Sequence, residues 1–166
     1  MSNIVLIGMP GAGKTTIGRK LHKLLDRPVL DSDDQVIKET GRSVKDLFQE
    51  GEDVFRAAET AAIKTLSEMD GIIISCGGGV VKRPENIAYL QQNGKIFFLN
   101  RDLEAIAGSV DKTSRPLLNS AEDRLTQLYR ERMPLYLKYS DYAIPVNEDF
   151  DQTAAQIVRL IKELGL

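Results

Sequence analysis

The segment Gly8-Met9-Pro10-Gly11-Ala12-Gly13-Lys14-Thr15 follows directly on the apolar run Ile4-Val5-Leu6-Ile7. Behind it, Ile17, Leu21, Leu24 and Leu25 recur at helical spacing. A glycine-rich loop between a short buried strand and a helix is the P-loop arrangement, whereas a glycine-rich surface turn lacks that context. It commits the chain to parallel strands joined by helical crossovers, because parallel neighbours cannot be joined by a tight hairpin. It also fixes a ligand class. Glycines let successive backbone N–H groups converge on phosphate oxygens, Lys14 adds a point charge near the β and γ positions, and the Thr15 hydroxyl suits a magnesium ion. A magnesium-bound nucleoside triphosphate is the expected ligand.

The rest of the chain agrees with an α/β fold. Short apolar runs at 4–7, 28–30, 72–75, 95–99 and 142–144 alternate with helix-periodic segments, and 151–164 reads as a final helix. That pattern predicts a five-stranded parallel sheet flanked by helices on both faces. No repeat or linker-like stretch interrupts it, so residues 1–166 are expected to form one domain. Two segments break the rhythm. Residues 32–69 are too long for one crossover helix and are interrupted at Gly41 and Gly51, which predicts a helical insertion over the sheet at about 32–60. Residues 108–119 are short and polar and contain Arg115-Pro116, as expected of a lid loop.

Bulk properties exclude several classes. A net charge of −2 gives no bulk attraction to nucleic acid or membrane. Cys76 is the sole cysteine, which rules out an internal disulfide or a cysteine-rich zinc site and suits a reducing compartment. The amino terminus lacks the pattern of a signal peptide and no apolar stretch reaches bilayer length, so a cytoplasmic protein is expected.

Several residues are candidates for chemistry. Asp31-Ser32-Asp33-Asp34 closes the second strand; alternation would send Asp31 and Asp33 to one side, with Asp34 already in the next helix. The same acids also suit a helix N-cap and first turn. Gly51-Glu52-Asp53-Val54-Phe55-Arg56 opens a helix whose inner face is expected from Val54, Ala58, Ala61 and Ala62. There Arg56 and Glu59 stand three apart, either as a solvated ion pair or as part of a site. Gly77-Gly78-Gly79 costs conformational entropy that a ligand against bare backbone would justify, although a tight bend would also use it. Cys76 reads as a small buried apolar residue, and His22 lies in the helix behind the P-loop. Arg115, before Pro116, is either an exposed loop residue or a cis-acting arginine finger. Pro134 is expected to kink or reset the helical segment 121–139. Spacing does not choose among Arg124, Arg130 and Arg132 for a ligand.

In order along the chain, residues 8–15, Asp31-Ser32-Asp33, Gly51-Glu52 with Phe55-Arg56, Gly77-Gly78-Gly79, Arg115-Pro116-Leu117-Leu118 and Arg132 with Pro134-Leu135-Tyr136 resemble the shikimate kinase family. These are small P-loop kinases related in architecture to nucleoside monophosphate kinases. The resemblance implies a three-layer P-loop kinase fold and transfer of the ATP γ-phosphoryl group to the 3-hydroxyl of shikimate, in aromatic amino-acid biosynthesis. It implies that Gly11, Ala12, Gly13, Lys14, Thr15, Thr16 and Arg115 bind ATP, and that Asp33, Arg56, Gly78, Gly79 and Arg132 bind shikimate. Lys14, Asp33 and Arg115 are then the catalytic candidates. Mg²⁺ is the implied cofactor, on Thr15 directly and on Asp31 through water. Partners reduce to ATP and shikimate, with no nucleic acid or membrane, and the chain is expected to be a monomer.

One departure concerns adenine. Many members carry an arginine ahead of the lid that packs on the base, at the position aligned with Gly108; here 107–111 contains none. Lys112 or backbone near Val146-Asn147 is the expected substitute, with weaker discrimination among bases. Alternative readings are another small-molecule kinase, such as a gluconate-type or nucleoside monophosphate kinase, and a noncatalytic nucleotide-binding module. Intact Lys14, Thr15, Asp31, Asp33 and Arg115 argue against the last.

Overall fold

The computed structural model describes residues 1–109 and 118–166. Five parallel strands, β1 (Asn3–Ile7), β2 (Val29–Asp31), β3 (Ile73–Ser75), β4 (Gly94–Arg101) and β5 (Tyr142–Val146), stand in the order β2-β3-β1-β4-β5. The expected strands are thus all present. β4 and β5 extend further than their apolar runs because Arg101 and Val146 still pair across the ladder. β1 lies at the centre, between β3 and β4.

Alternation along these strands builds two apolar layers. Val5, Ile7, Ile74, Ile96 and Phe98 face one way, under α4 (Glu52–Ser67), α5 (Pro84–Gln92) and α7 (Leu118–Tyr139). Ile4, Leu6, Ile73, Phe97 and Leu99 face the other way, against α1 (Lys14–Leu25) and α8 (Phe150–Leu164). Both faces are buried, which is why the strands read as nearly continuous apolar runs. In α1, Ile17 and Leu21 are buried but Leu24 is exposed, since a helix on a sheet presents only one stripe to it.

The insertion is α2 (Ser32–Thr40), α3 (Val44–Glu50) and the start of α4. Gly41 caps α2 in the left-handed region, and Gly51 separates α3 from α4. Val36, Leu47, Phe55 and Ala62 form a small apolar cluster of their own. The expected inner face of α4 needs correction. Val54 and Ala61 point to solvent, while Phe55, Arg56, Glu59, Ala62, Ile63 and Leu66 are buried. Two charged residues share the buried stripe because they pair with each other.

α7 continues through Pro134 without interruption. α6 (Leu103–Ser109) precedes the proposed lid, most of which lies outside the described residues, with Arg115 and Lys112. Among the described residues no helix is long and apolar enough to cross a membrane.

Candidate active site

At the carboxyl end of β1 the chain turns through Gly11 (φ 84°) and Gly13 (φ 96°), both in the left-handed region that favours glycine. Gly13 is the N-cap of α1. No side chain caps that helix and its first turn holds no acid, so its leading N–H groups face the cleft available to an anion. Lys14 is half-buried there, and its Nζ donates to the carbonyls of Gly8 (2.6 Å) and Met9 (2.9 Å). An ammonium has three N–H groups, leaving one for a phosphate oxygen. Burial pulls Lys14 from its ordinary 10.5 down to about 8, and the neighbouring Arg132 charge acts in the same direction.

A cleft of about 480 Å³ runs along the carboxyl edge of the sheet, over Gly11, Gly13, Lys14, Thr15 and Thr16. Asp31, Asp33, Gly77 and Gly78 line it toward β2 and β3, and Arg101 and Phe150 toward β4 and β5. Asp31 and Asp33 therefore share the cleft, but not through strand alternation. α2 begins at Ser32, so Asp33 is already helical, and Asp31 is its N-cap, with Oδ1 accepting from the N–H groups of Asp33 (2.8 Å) and Asp34 (3.1 Å). Capping and site readings hold together: one oxygen of Asp31 caps, and the carboxylate still borders the cleft. Burial raises the pKa of both acids, and for Asp33 the charges of Asp31 and Asp34 add to it.

Arg56 and Glu59 are not a solvated pair. Arg56 is 7% and Glu59 0% exposed, with Nη1 donating to Oε1 at 2.9 Å, and Arg56 Nε reaching Glu52 Oε1 at 3.4 Å. The guanidinium also lies over the rings of Phe48 (5.6 Å) and Phe55 (5.1 Å). Burial raises the Glu59 pKa against the pull of Arg56. Oδ1 of Asp33 and Oε2 of Glu59 are buried without a hydrogen-bond partner, and each lies 3.2 Å from where a Cβ on Gly77 would stand.

The triple glycine has a packing cause within the protein. A Cβ at Gly79 would stand 2.3 Å from Arg56 Nη2, and one at Gly78 2.9 Å from Pro10 Cδ and 3.0 Å from Arg132 Nη1. Glycine there lets two guanidinium groups lie against bare backbone beside the cleft. Tyr136, fully buried, holds the loop by donating its hydroxyl to the Gly78 carbonyl at 2.6 Å, and it stacks on Phe98 with ring centroids 5.0 Å apart. Of the three candidate arginines, Arg124 and Arg130 are exposed, whereas Arg132 is half-buried against Gly78. Cys76 is buried in the core and its thiol pKa is raised by that burial, as suits a packing residue.

Sequence reasoning missed Glu59 as the fixed partner of Arg56, Tyr136 as the anchor of the glycine loop, and Arg101 with Phe150 as cleft walls. Glu59 left a signal in its spacing from Arg56 and Tyr136 in the motif that ends on it, whereas Arg101 and Phe150 left none. The donor set suits magnesium. Thr15 and Asp31 offer hard oxygens beside the phosphate loop, and the described residues contain no cluster of three or more His, Cys, Asp or Glu that would favour an all-protein cage.

The shikimate kinase family model matches residues 10–162. A shikimate kinase of Clostridium beijerinckii is 40% identical over 165 residues, covering 99% of this chain and 95% of that protein. One from Clostridium botulinum is 37% identical over 163 residues, covering 98% and 96%. Among solved structures, shikimate kinase from Acinetobacter baumannii in complex with shikimate superposes with a TM-score of 0.90 at 34% identity, over 100% of this chain and 96% of that one.

Proposed function

The chain belongs to the shikimate kinase family, and from that membership we propose how its own residues carry the reaction. ATP donates its γ-phosphoryl group to the 3-hydroxyl of shikimate, giving shikimate 3-phosphate and ADP. One observation supports this acceptor above others: two guanidinium groups, Arg56 and Arg132, flank the glycine loop within reach of the cleft that contains Asp33. That set suits a small hydroxylated carboxylate, with forked donors for the carboxylate and an acid for the hydroxyls.

In this reading the triphosphate lies on the backbone of Gly11, Ala12 and Gly13, with Lys14 on its terminal oxygens and Thr15 and Thr16 beside it. Asp33 positions the acceptor hydroxyl and takes its proton as the oxygen–phosphorus bond forms and the bridging oxygen leaves with ADP. Because such transfers depend on position and charge more than on base strength, the rigid pairing of Arg56 with Glu59 matters as much as Asp33. Arg115 adds positive charge from the lid, outside the described residues. Thr15 and, through water, Asp31 would hold Mg²⁺, which neutralises charge on the phosphate oxygens when bound.

Residues 1–166 act as one kinase domain in this proposal, a cytoplasmic monomer with ATP and shikimate as partners and neither nucleic acid nor membrane. The net charge of −2 and single buried cysteine support that placement. The test is ADP release measured with shikimate, gluconate, quinate and nucleoside monophosphates in parallel. Shikimate alone is expected to stimulate it. Stimulation only by one of the others would replace the acceptor, and no stimulation by any would indicate a binding module.

A further inference from the structure

Most backbone groups of the three glycines after β3 are engaged. The Gly77 N–H donates to Ser32 Oγ at 2.9 Å, the Gly77 carbonyl accepts from the Val80 N–H at 3.1 Å, and the Gly79 carbonyl accepts from the Lys82 N–H at 3.0 Å. The peptide between Gly78 and Gly79 is different. Among the described residues one hydrogen bond holds it, from the Tyr136 hydroxyl to the Gly78 carbonyl at 2.6 Å. Gly79 is buried, yet its N–H has no hydrogen-bond partner among those residues. Buried N–H groups without a partner are rare, and this one stands next to Gly78, which lines the cleft.

That peptide is trans and planar, so its C=O and N–H point in opposite directions. Tying the Gly78 carbonyl to Tyr136 therefore sends the Gly79 N–H away from the phenol. No Cβ on either side resists a turn of this peptide about its flanking bonds, so its orientation depends on the hydroxyl. Tyr136 is well fixed for that task. It is fully buried and stacked on Phe98, and burial pushes its pKa from the ordinary 10 up to about 12, which keeps the proton on the oxygen. Arg132 stands one turn earlier on α7, with Nη1 against Gly78. A single turn of α7 thus sets both a guanidinium and a backbone donor beside the cleft.

We propose that Tyr136 is a positioning residue of this reaction: its hydroxyl locks the peptide between Gly78 and Gly79 so that the Gly79 N–H, and not the Gly78 carbonyl, is offered to an oxygen of the acceptor. A carbonyl in that place would repel a carboxylate and would leave a hydroxyl oxygen without its donor. This inference rests on the acceptor reading above and adds the residue that orients its backbone donor.

The experiment compares the unaltered enzyme with Tyr136→Phe, which keeps the ring and removes the donor. The KM for shikimate is expected to rise about tenfold, as for one lost hydrogen bond, with the KM for ATP unchanged and kcat within about threefold. A role in packing alone would leave the shikimate KM where it was. Tyr136→4-aminophenylalanine restores a weaker N–H donor; it should recover most of the loss and stay about threefold above the unaltered enzyme. In parallel, the N–H residual dipolar coupling of Gly79, measured by NMR without any acceptor, reads the orientation of the peptide directly. It should change in Tyr136→Phe while the couplings along α1 stay the same. The proposal is overturned by an unaltered shikimate KM in Tyr136→Phe, by an equal rise in the KM for ATP, or by a Gly79 coupling that does not move. Should Tyr136→Phe not fold, Tyr136→4-aminophenylalanine decides alone, by its threefold rise for shikimate without one for ATP, or by the lack of it. Absence of turnover with shikimate in the unaltered enzyme would count against the acceptor reading, while the dipolar coupling would still decide whether Tyr136 orients the peptide.

Discussion

Replacing Gly79 with alanine should damage the acceptor site through a side chain far away in sequence. At Gly79 φ is −96° and ψ 11°, which alanine tolerates, so the backbone does not demand glycine. Space does. The new Cβ would stand 2.3, 2.5 and 2.6 Å from Nη2, Nη1 and Cζ of Arg56, and the guanidinium must retreat by roughly 1 Å to regain ordinary contact. It has little freedom to do so, being tied to Glu59 at 2.9 Å and enclosed by Phe48 and Phe55. Retreat stretches that bond and leaves Glu59, 0% exposed and with Oε2 already unpartnered, as a buried carboxylate short of its cation. Outright loss of one partner of such a pair costs about 3–5 kcal/mol, and a displaced guanidinium still present should cost about 1–3 kcal/mol. Urea unfolding followed by circular dichroism reads this as a midpoint lowered by about 1 M. In steady-state assays the KM for shikimate should rise about 10- to 100-fold, the value of a lost charge-assisted bond, with the KM for ATP unchanged. Glu59→Gln combined with Gly79→Ala should be less than additive, since both act on one pair. Unaltered stability together with an unaltered shikimate KM would refute the reasoning.

Lys14, lowered by burial to about 8, loses its proton earlier in the folded protein than in the unfolded chain. Between about pH 8 and 10.5 the unfolded chain therefore holds the extra proton, and this residue's contribution to stability improves as pH rises through that window. Over the same window ATP affinity of the free enzyme should fall, while Lys14→Arg should lack that loss; ATP titrations from about pH 7 to 9.5 check it, and a flat profile would remove Lys14 from phosphate binding. Asp33→Asn should lower turnover by about 100-fold or more and abolish the acid limb of the pH–rate profile, whereas near-normal turnover would exclude an essential base. Because burial disfavours the Asp33 carboxylate, the same variant should unfold at higher urea at neutral pH. Arg115→Ala should reduce kcat by about 10³-fold with a much smaller change in shikimate affinity, measured by titration; binding loss without turnover loss would contradict a role in stabilising transferred charge.

Much of this architecture was legible because it is local. The P-loop, the five apolar runs and the breaks at Gly41 and Gly51 declare themselves within a few residues. Asp31 and Asp33 were rightly grouped, though for the wrong local reason: α2 starts one residue after the strand ends, and a cap rather than a pleat brings them together. What stayed hidden depends on distant partners. Nothing near Gly79 says that the guanidinium of Arg56 will lie on it, and nothing near Arg56 says that it faces inward while Val54 and Ala61 face out. An apolar count of α4 puts charges outside; the buried Arg56–Glu59 pair reverses that locally. Phe150 looks like the first apolar residue of a helix, and its place over Gly13 follows only once β5 is set beside β4.

The small cluster of Val36, Leu47, Phe55 and Ala62 stands apart from the two apolar layers that hold the sheet. It gives the acceptor end a small core of its own beside Arg56, while the far half of α4 packs in the layer that also holds Met9 of the P-loop. Substitutions confined to that small core therefore carry less risk to nucleotide handling than substitutions in the layer beneath the P-loop. Conversely, a laboratory library confined to residues 32–60 should yield altered acceptor preference far more often than lost nucleotide binding.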